Sequence, residues 1–221
     1  MLLRYRNLVV VGTSHIAKES VEEAKRVILR EKPDAVALEL DKARLFALLE
    51  KRKAGMLEQI RHLGFRGFIL NTLGAWVEAK LGKLVGVKPG SEMLAAVDAA
   101  KEIGAKIYLV DRRIEVTLRR LINKITFREK LRFVFDLFAG LFLGKGIKID
   151  ISKVPSKEVI EQAIAYVRTR YPNVYKVLIE ERNRFIARNL CRLMEQHKLV
   201  VAVLGAGHCE DVIGLIESGK I

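Results

Sequence analysis

Apolar residues gather in four short, nearly unbroken runs: LVVVG at 8–12, AVALEL at 35–40, KIYLVD at 106–111 and LVVAVLG at 199–205. A strand with one wetted face alternates apolar and polar side chains, whereas a strand covered on both faces reads as a continuous apolar run. The four runs therefore predict buried, parallel strands. Between them the apolar positions recur at helical spacing. A first helix is expected to open at a capping box, Ser20 with Glu23, and to stop before Pro33. A second spans Ser91 to Gly104, a third follows Pro155 and Ser156, and a fourth starts at the first-turn proline Pro172 and runs to about Gln196. The alternation predicts an α/β fold with a mainly parallel central sheet flanked by helices, one domain over residues 1–221.

Two stretches, 54–88 and 115–149, carry helical periodicity without a place in that alternation and are expected to be helical insertions. In the second, Phe127, Leu131, Phe135, Phe138 and Phe142 fall three or four residues apart, flanked by Arg119, Arg120, Lys124, Arg128, Lys130 and Arg132. Residues 101–153 hold 13 basic and 6 acidic side chains, half of the chain's net charge of +14. The run FVFDLFAGLFLG is too short and too interrupted, by Asp136 and Gly140, to span a bilayer, which takes roughly 20 apolar residues. An exposed apolar stripe is a liability on a monomer, so a homodimer with these helices at or near its interface is expected. The surrounding charge predicts weak, salt-sensitive attachment to an anionic membrane surface. Nucleic acid ranks last, because no recognised binding motif accompanies the charge.

Composition adds a compartment. Half of the residues are apolar, enough for a substantial core. Two cysteines, Cys191 and Cys209, give no disulfide framework, and MLLRYRNLVVVG runs into a strand without a signal cleavage site, so a reducing, cytoplasmic setting is expected. Dense Lys, Arg and Glu with only 4 Pro follow the tendency of heat-adapted proteins.

Ligands of an open parallel sheet bind beyond the carboxyl ends of its strands. The four runs deliver Gly12, Thr13, Ser14 and His15; Glu39 and Asp41, with Arg44 a turn later; Asp111, Arg112 and Arg113; and Gly207 with His208. Parallel strands would put all of these on one rim. Each has a plain alternative: a histidine that caps a helix, a Glu39–Arg44 pair, an internal Asp111–Arg112 pair, or, for Glu92, a carboxylate favoured by the dipole of its helix. Glu39 ends a buried run and so must be paired or neutralised. On the fourth helix, Val174, Leu178, Phe185, Ile186 and Leu193 define an apolar arc into which Glu181, Arg182 and Asn189 also fall. These three must meet each other or something in the core. The turn GAGHCE is not a dinucleotide fingerprint, since Glu210 stands where the third glycine belongs, and no Gly-Lys-Ser/Thr follows a glycine-rich turn.

Five ordered blocks, GTSHIAKES, PDAVALELDKAR, GVKPGSEMLAAVDAAKEIGAKIYLVDRRIEVTLRR, YPNVYKVLIEERNRFIARNL and VVAVLGAGH, resemble the TraB/PrgY pheromone-shutdown family, which is similar to the Tiki metalloproteases. The resemblance implies a fold related to the EreA/ChaN-like group. It matches the family's paired Gly-x-x-His motifs to His15 and His208, its strand-end acid to Glu39, the acid of its EM block to Glu92, and its Glu-Arg-Asp/Asn block to Glu181, Arg182 and Asn183. Relatives often read Asp-Arg-Asp where this chain has Asp111, Arg112 and Arg113, so one further acid is absent. The resemblance also implies that many archaeal members continue into a membrane segment. It suggests a metal-dependent hydrolase of peptides, with His15, Glu39 and His208 holding a divalent ion; mixed nitrogen and oxygen ligands suit Zn, Mn or Co. Glu181 would be general base or fourth ligand, and Arg182 would stabilise an oxyanion. The alternatives are a peptide-sequestering protein that clamps a carboxylate through Arg182 and Arg112, and a metal-independent, esterase-like hydrolase with His15 as base.

Overall fold

In the computed structural model, which describes residues 1–13, 18–53, 90–143 and 157–221, the apolar runs form β2 (Leu8–Thr13), β3 (Ala35–Leu38), β4 (Lys106–Leu109) and β5 (Val200–Gly205). A fifth strand, β1 (Leu2–Tyr5), precedes them. The sheet order is β1-β2-β5-β3-β4, antiparallel at β1 and parallel elsewhere. Val203 of β5 faces Val11 on one side and Leu38 on the other. Strand β1 is the one the sequence reading missed. It is an edge strand whose side chains alternate between exposed and half-buried, so LLRY carries no continuous apolar run.

Both faces of the sheet are covered, which is why the inner strands read as unbroken apolar runs. Val9, Val11, Val36, Leu38 and Val203 pack under α1 (Lys18–Glu31) and α3 (Ser91–Glu102). Leu8, Val10, Ala37 and Ala202 pack under Ile186, Leu190 and Leu193 of α8 (Glu181–Gln196) and Val212 and Ile216 of α9 (Cys209–Ser218). Ile28, Ile186 and Leu190 are fully buried. Burying a side chain of that size contributes about 1.5–3 kcal/mol. The remaining helices are α2 (Lys42–Lys53), α4 (Ile114–Lys124), α5 (Phe127–Leu143), α6 (Lys157–Arg170) and α7 (Pro172–Tyr175).

Three local expectations are corrected. Helix α1 already includes Lys18, so Ser20 lies inside it, fully buried, and Glu23 meets the Met1 amino group at 3.2 Å instead of capping. The second insertion is two helices, parted by a capping box at Thr126: its Oγ1 accepts the Glu129 N–H at 3.3 Å, while Glu129 accepts from the Thr126 N–H at 3.0 Å. The fourth helix is interrupted by a π-turn, Lys176–Glu180, between α7 and α8. One extra residue in that turn shifts the helical phase, so a single arc drawn from Val174 to Leu193 mixes two registers. The buried set on α8 is Asn183, Ile186, Ala187, Leu190 and Leu193, and Phe185 is exposed.

On α5, Phe127, Leu131 and Phe135 are exposed, as the spacing predicts; the side chains of Phe138 and Phe142 and the whole of 54–88 lie outside the described residues. Among the described residues no helix is long and apolar enough to cross a membrane.

Candidate functional site

With β2, β5, β3 and β4 parallel, their carboxyl ends share one rim. Helices α1 and α2, which follow β2 and β3, pack on the same face of the sheet as α3, whereas α9, which follows β5, packs on the other, the change of side at which ligands of such sheets bind. The end of β2 lies close against α9: a Cβ built on Gly12 would come within 2.9 Å of Cys209 Sγ, so a larger residue there forces a shift. Thr13, at the end of β2, is buried and donates to the Leu204 carbonyl at 3.1 Å.

Glu39, directly after β3, is 4% exposed. One of its oxygens accepts the Gly205 N–H at 2.7 Å, and the other accepts Arg182 Nη2 at 2.6 Å. Arg182 also donates from Nε (3.1 Å) and Nη2 (2.6 Å) to the two oxygens of Asp111, and from Nη1 to the Leu178 carbonyl. Asp111 accepts in addition from Arg44, whose Nε reaches Asp41 at 2.9 Å. Asp41 caps α2 by accepting the Arg44 N–H at 3.0 Å. Burial pushes the Asp111 carboxyl up, but the Arg182 hydrogen bonds and charge, with Arg44, outweigh it and hold the group below its ordinary value. Burial likewise opposes the Arg182 charge, and Asp111 and Glu39 raise it above its ordinary value.

Neither a Glu39–Arg44 pair nor a Glu181–Arg182 pair forms here; each arginine reaches across to a neighbouring strand end. Among the described residues, three carboxylates (Asp41, Glu39, Asp111) share two guanidiniums (Arg44, Arg182), one negative charge in excess.

His208, between β5 and α9, faces that excess. Its Nδ1 lies 2.5 Å from Asn183 Oδ1, and Asn183 Nδ2 donates to Asp211 at 3.1 Å. Because Asp211 accepts, the Asn183 amide must present its oxygen to the histidine, which puts the proton on Nδ1. In the neutral ring Nε2 then carries the lone pair and in the imidazolium a second proton; it lies 3.4 Å from Glu39 Oε1. Two acceptors at that separation are stable with a cation between them: a proton, or a metal ion. Bonds of about 2.0–2.2 Å in a tetrahedral shell put neighbouring ligand atoms about 3.3 Å apart, so this pair fits two ligands of one ion. Among the described residues no third His, Cys, Asp or Glu completes a metal group, and His15 lies outside them.

Glu92 is 1% exposed in the first turn of α3. Gly90, at φ 82, precedes it, and a Cβ there would strike Leu48. Helix α3 leads into the start of β4, so its first turn lies at the rim end of the sheet.

Glu181 and Arg112 are turned elsewhere. Glu181 accepts from Arg120 (2.6 and 2.9 Å), Lys124 (3.0 Å) and Arg112 Nη1 (3.0 Å), under α4. The Arg120 hydrogen bonds, helped by Lys124 and Arg112 against a smaller opposing effect of burial, hold its carboxyl far below the usual carboxylate range. A group so held does not accept a proton near neutral pH, which counts against the general-base role expected for Glu181. Arg112 spends its side-chain donors on Glu181, Thr117 and the Val177 carbonyl; with Arg182 equally committed, a clamp made from these two arginines has no free fork.

Asn183, which the resemblance matched through the Glu-Arg-Asp/Asn block without giving it a role, holds the histidine, and Asp211, which the sequence reading did not name, holds Asn183.

A sequence model of the TraB/PrgY/gumN family matches residues 5–219. An uncharacterized protein of Methanocaldococcus jannaschii is 35% identical over 213 residues, covering 94% of this chain and 52% of its own length. TraB domain-containing proteins of Homo sapiens and Bos taurus are 27% and 28% identical over 231 residues, covering 92% of this chain and 61% and 60% of their own lengths. The chain thus spans between half and two thirds of the curated relatives it matches. A match over residues 5–219 takes in nearly the whole chain, from β2 to the end of α9: the chain belongs to the TraB/PrgY/gumN family.

Proposed function

We propose that this chain is a metal-assisted hydrolase acting on peptides, in which His208 and Glu39, with His15, hold a divalent ion of the Zn, Mn or Co type. The observation that carries the reading is the 3.4 Å approach of His208 Nε2 to a Glu39 oxygen, in a cluster where, among the described residues, three carboxylates share two guanidiniums. An ion held there would supply Lewis acidity toward a peptide carbonyl and an attacking water. Asn183 keeps the His208 proton on Nδ1 and so turns the Nε2 edge toward Glu39. Arg182 is a positioning residue that holds Glu39 and Asp111 in place. Glu92, a carboxylate buried at the rim end of α3, takes the role of proton acceptor in place of Glu181.

The test is elemental analysis of the purified protein together with cleavage of a mixed peptide library, with and without chelator. Stoichiometric metal, lost in His208→Ala and Glu39→Gln, and chelator-sensitive cleavage, lost in Glu92→Gln, are expected. Cleavage that survives complete metal removal overturns the metal and selects a His208 imidazolium paired with Glu39. Retention of peptides without products overturns hydrolysis.

A further inference from the structure

Beside the rim, α4, the π-turn and the start of α8 enclose a second cleft of about 460 Å³ lined by Arg112, Arg120, Lys124, Lys176, Arg184 and Arg188, together with Glu180, Glu181 and Phe185. Six basic side chains face two acidic ones. Glu180 is paired with Arg184 at 3.0 Å, and Glu181 is shared by Arg120, Lys124 and Arg112. Lys176 and Arg188 make no ion pair among the described residues. The cleft therefore holds four positive charges in excess, a bias toward an anion that is strongest at low salt.

Glu181 shows what the cleft is built to hold. Its two oxygens receive four hydrogen bonds from three cations. After those bonds, two of the three Lys124 protons and the Nη1 edge of Arg120 remain uncommitted to it, and Lys176 and Arg188 are entirely so. This is the donor array that takes a polyanion: planar guanidinium forks and ammonium point charges around a space of small-molecule size. The π-turn contributes Lys176 and Glu180 to the wall, and such turns are frequent at functional sites.

We propose that this cleft binds a small, multiply charged phosphate ligand of the pyrophosphate or nucleoside polyphosphate class. A single carboxylate, such as a peptide C-terminus, would leave most of the excess charge unanswered, whereas a diphosphate group answers it. The cleft is distinct from the rim: Arg112 and Glu181 belong to it, while Glu39, His208 and Asp111 do not.

The test is calorimetric titration of the whole protein at low salt with pyrophosphate, with citrate at matched ionic strength, and with a short single-stranded oligonucleotide. Saturable binding of pyrophosphate is expected, roughly tenfold or more tighter than citrate, and weakened by about tenfold or more in Lys176→Ser with Arg188→Ser. Those two side chains are outside the rim network, so a folded double variant by circular dichroism is expected. Four results would each overturn the proposal: no saturable pyrophosphate binding, citrate binding as tightly, tighter binding of the oligonucleotide, or a double variant that binds as well as the parent.

Discussion

Replacing Arg182 with methionine keeps the unbranched, apolar stem of the side chain and removes the guanidinium from between two buried carboxylates. Arg182 is 16% exposed, against 3% for the Glu39 side chain and 0% for that of Asp111. Asp111 would keep Arg44, and Glu39 would keep the Gly205 N–H, but both would lose the partner they share. Removing one member of a buried ion pair costs about 3–5 kcal/mol, chiefly because the other charge stays buried. Retained Arg44 puts the expectation toward the lower end, about 3 kcal/mol at neutral pH. In the parent, the Asp111 pKa is depressed in the folded state, so its contribution is present above the unfolded value of 3.8 and is lost as pH falls through the folded value. In the variant, burial without Arg182 raises the carboxyl instead, so protonation relieves the folded state as pH drops toward the ordinary carboxylate range. The difference between parent and variant must therefore be largest near neutral pH and shrink toward about pH 4. Urea denaturation followed by circular dichroism across that range measures it. A loss below about 1 kcal/mol at neutral pH, or one that does not change with pH, would refute the account of the network.

Asn183→Ala should weaken metal uptake by about 10–100-fold, measured by titration calorimetry; unchanged uptake would show that His208 is not a ligand. Gly12→Ala drives a Cβ to 2.9 Å from Cys209 Sγ and should cost about 1–3 kcal/mol in thermal or urea unfolding, with partial rescue by Cys209→Ala. Asp136, held by Arg170 and then Tyr171, has its pKa lowered to about 2, so its contribution is present above 3.8 and lost as pH falls through about 2. Asp136→Asn should remove that acid transition and speed hydrogen exchange in α6, and an α6 as protected as in the parent would contradict the contact. The homodimer expected from the exposed α5 face should dissociate in Leu131→Glu with Phe135→Glu by sedimentation; a monomeric parent removes the idea.

The four inner strands and the rim were legible because burial on two faces writes itself as an unbroken apolar run, and polar residues ending such a run must face a common edge. Glu39, Asp111, Arg182 and His208 do meet there. The pairing was less legible, since sequence offers neighbours such as Arg44 and Arg112 while the fold offers partners from other strands. Capping boxes show the same limit. Ser20 and Glu23 have the right spacing inside a helix, whereas Thr126 and Glu129 form the box. The partners of Glu181 are hidden from the sequence because the π-turn at Lys176–Glu180 alters helical phase without changing composition.

That turn also separates two architectural obligations. Upstream of it, α7 packs with α6 and with α4 of the second insertion; downstream, α8 packs with β5 and α9. A rigid α-helix would tie both contacts to one fixed angular relationship, so that any adjustment of the outer helices would twist the layer on the sheet. The single-residue offset acts as a splice between two independently phased rods. Helices can be added or resized on the outer side, and the arginine and asparagine that serve the rim keep their bearings.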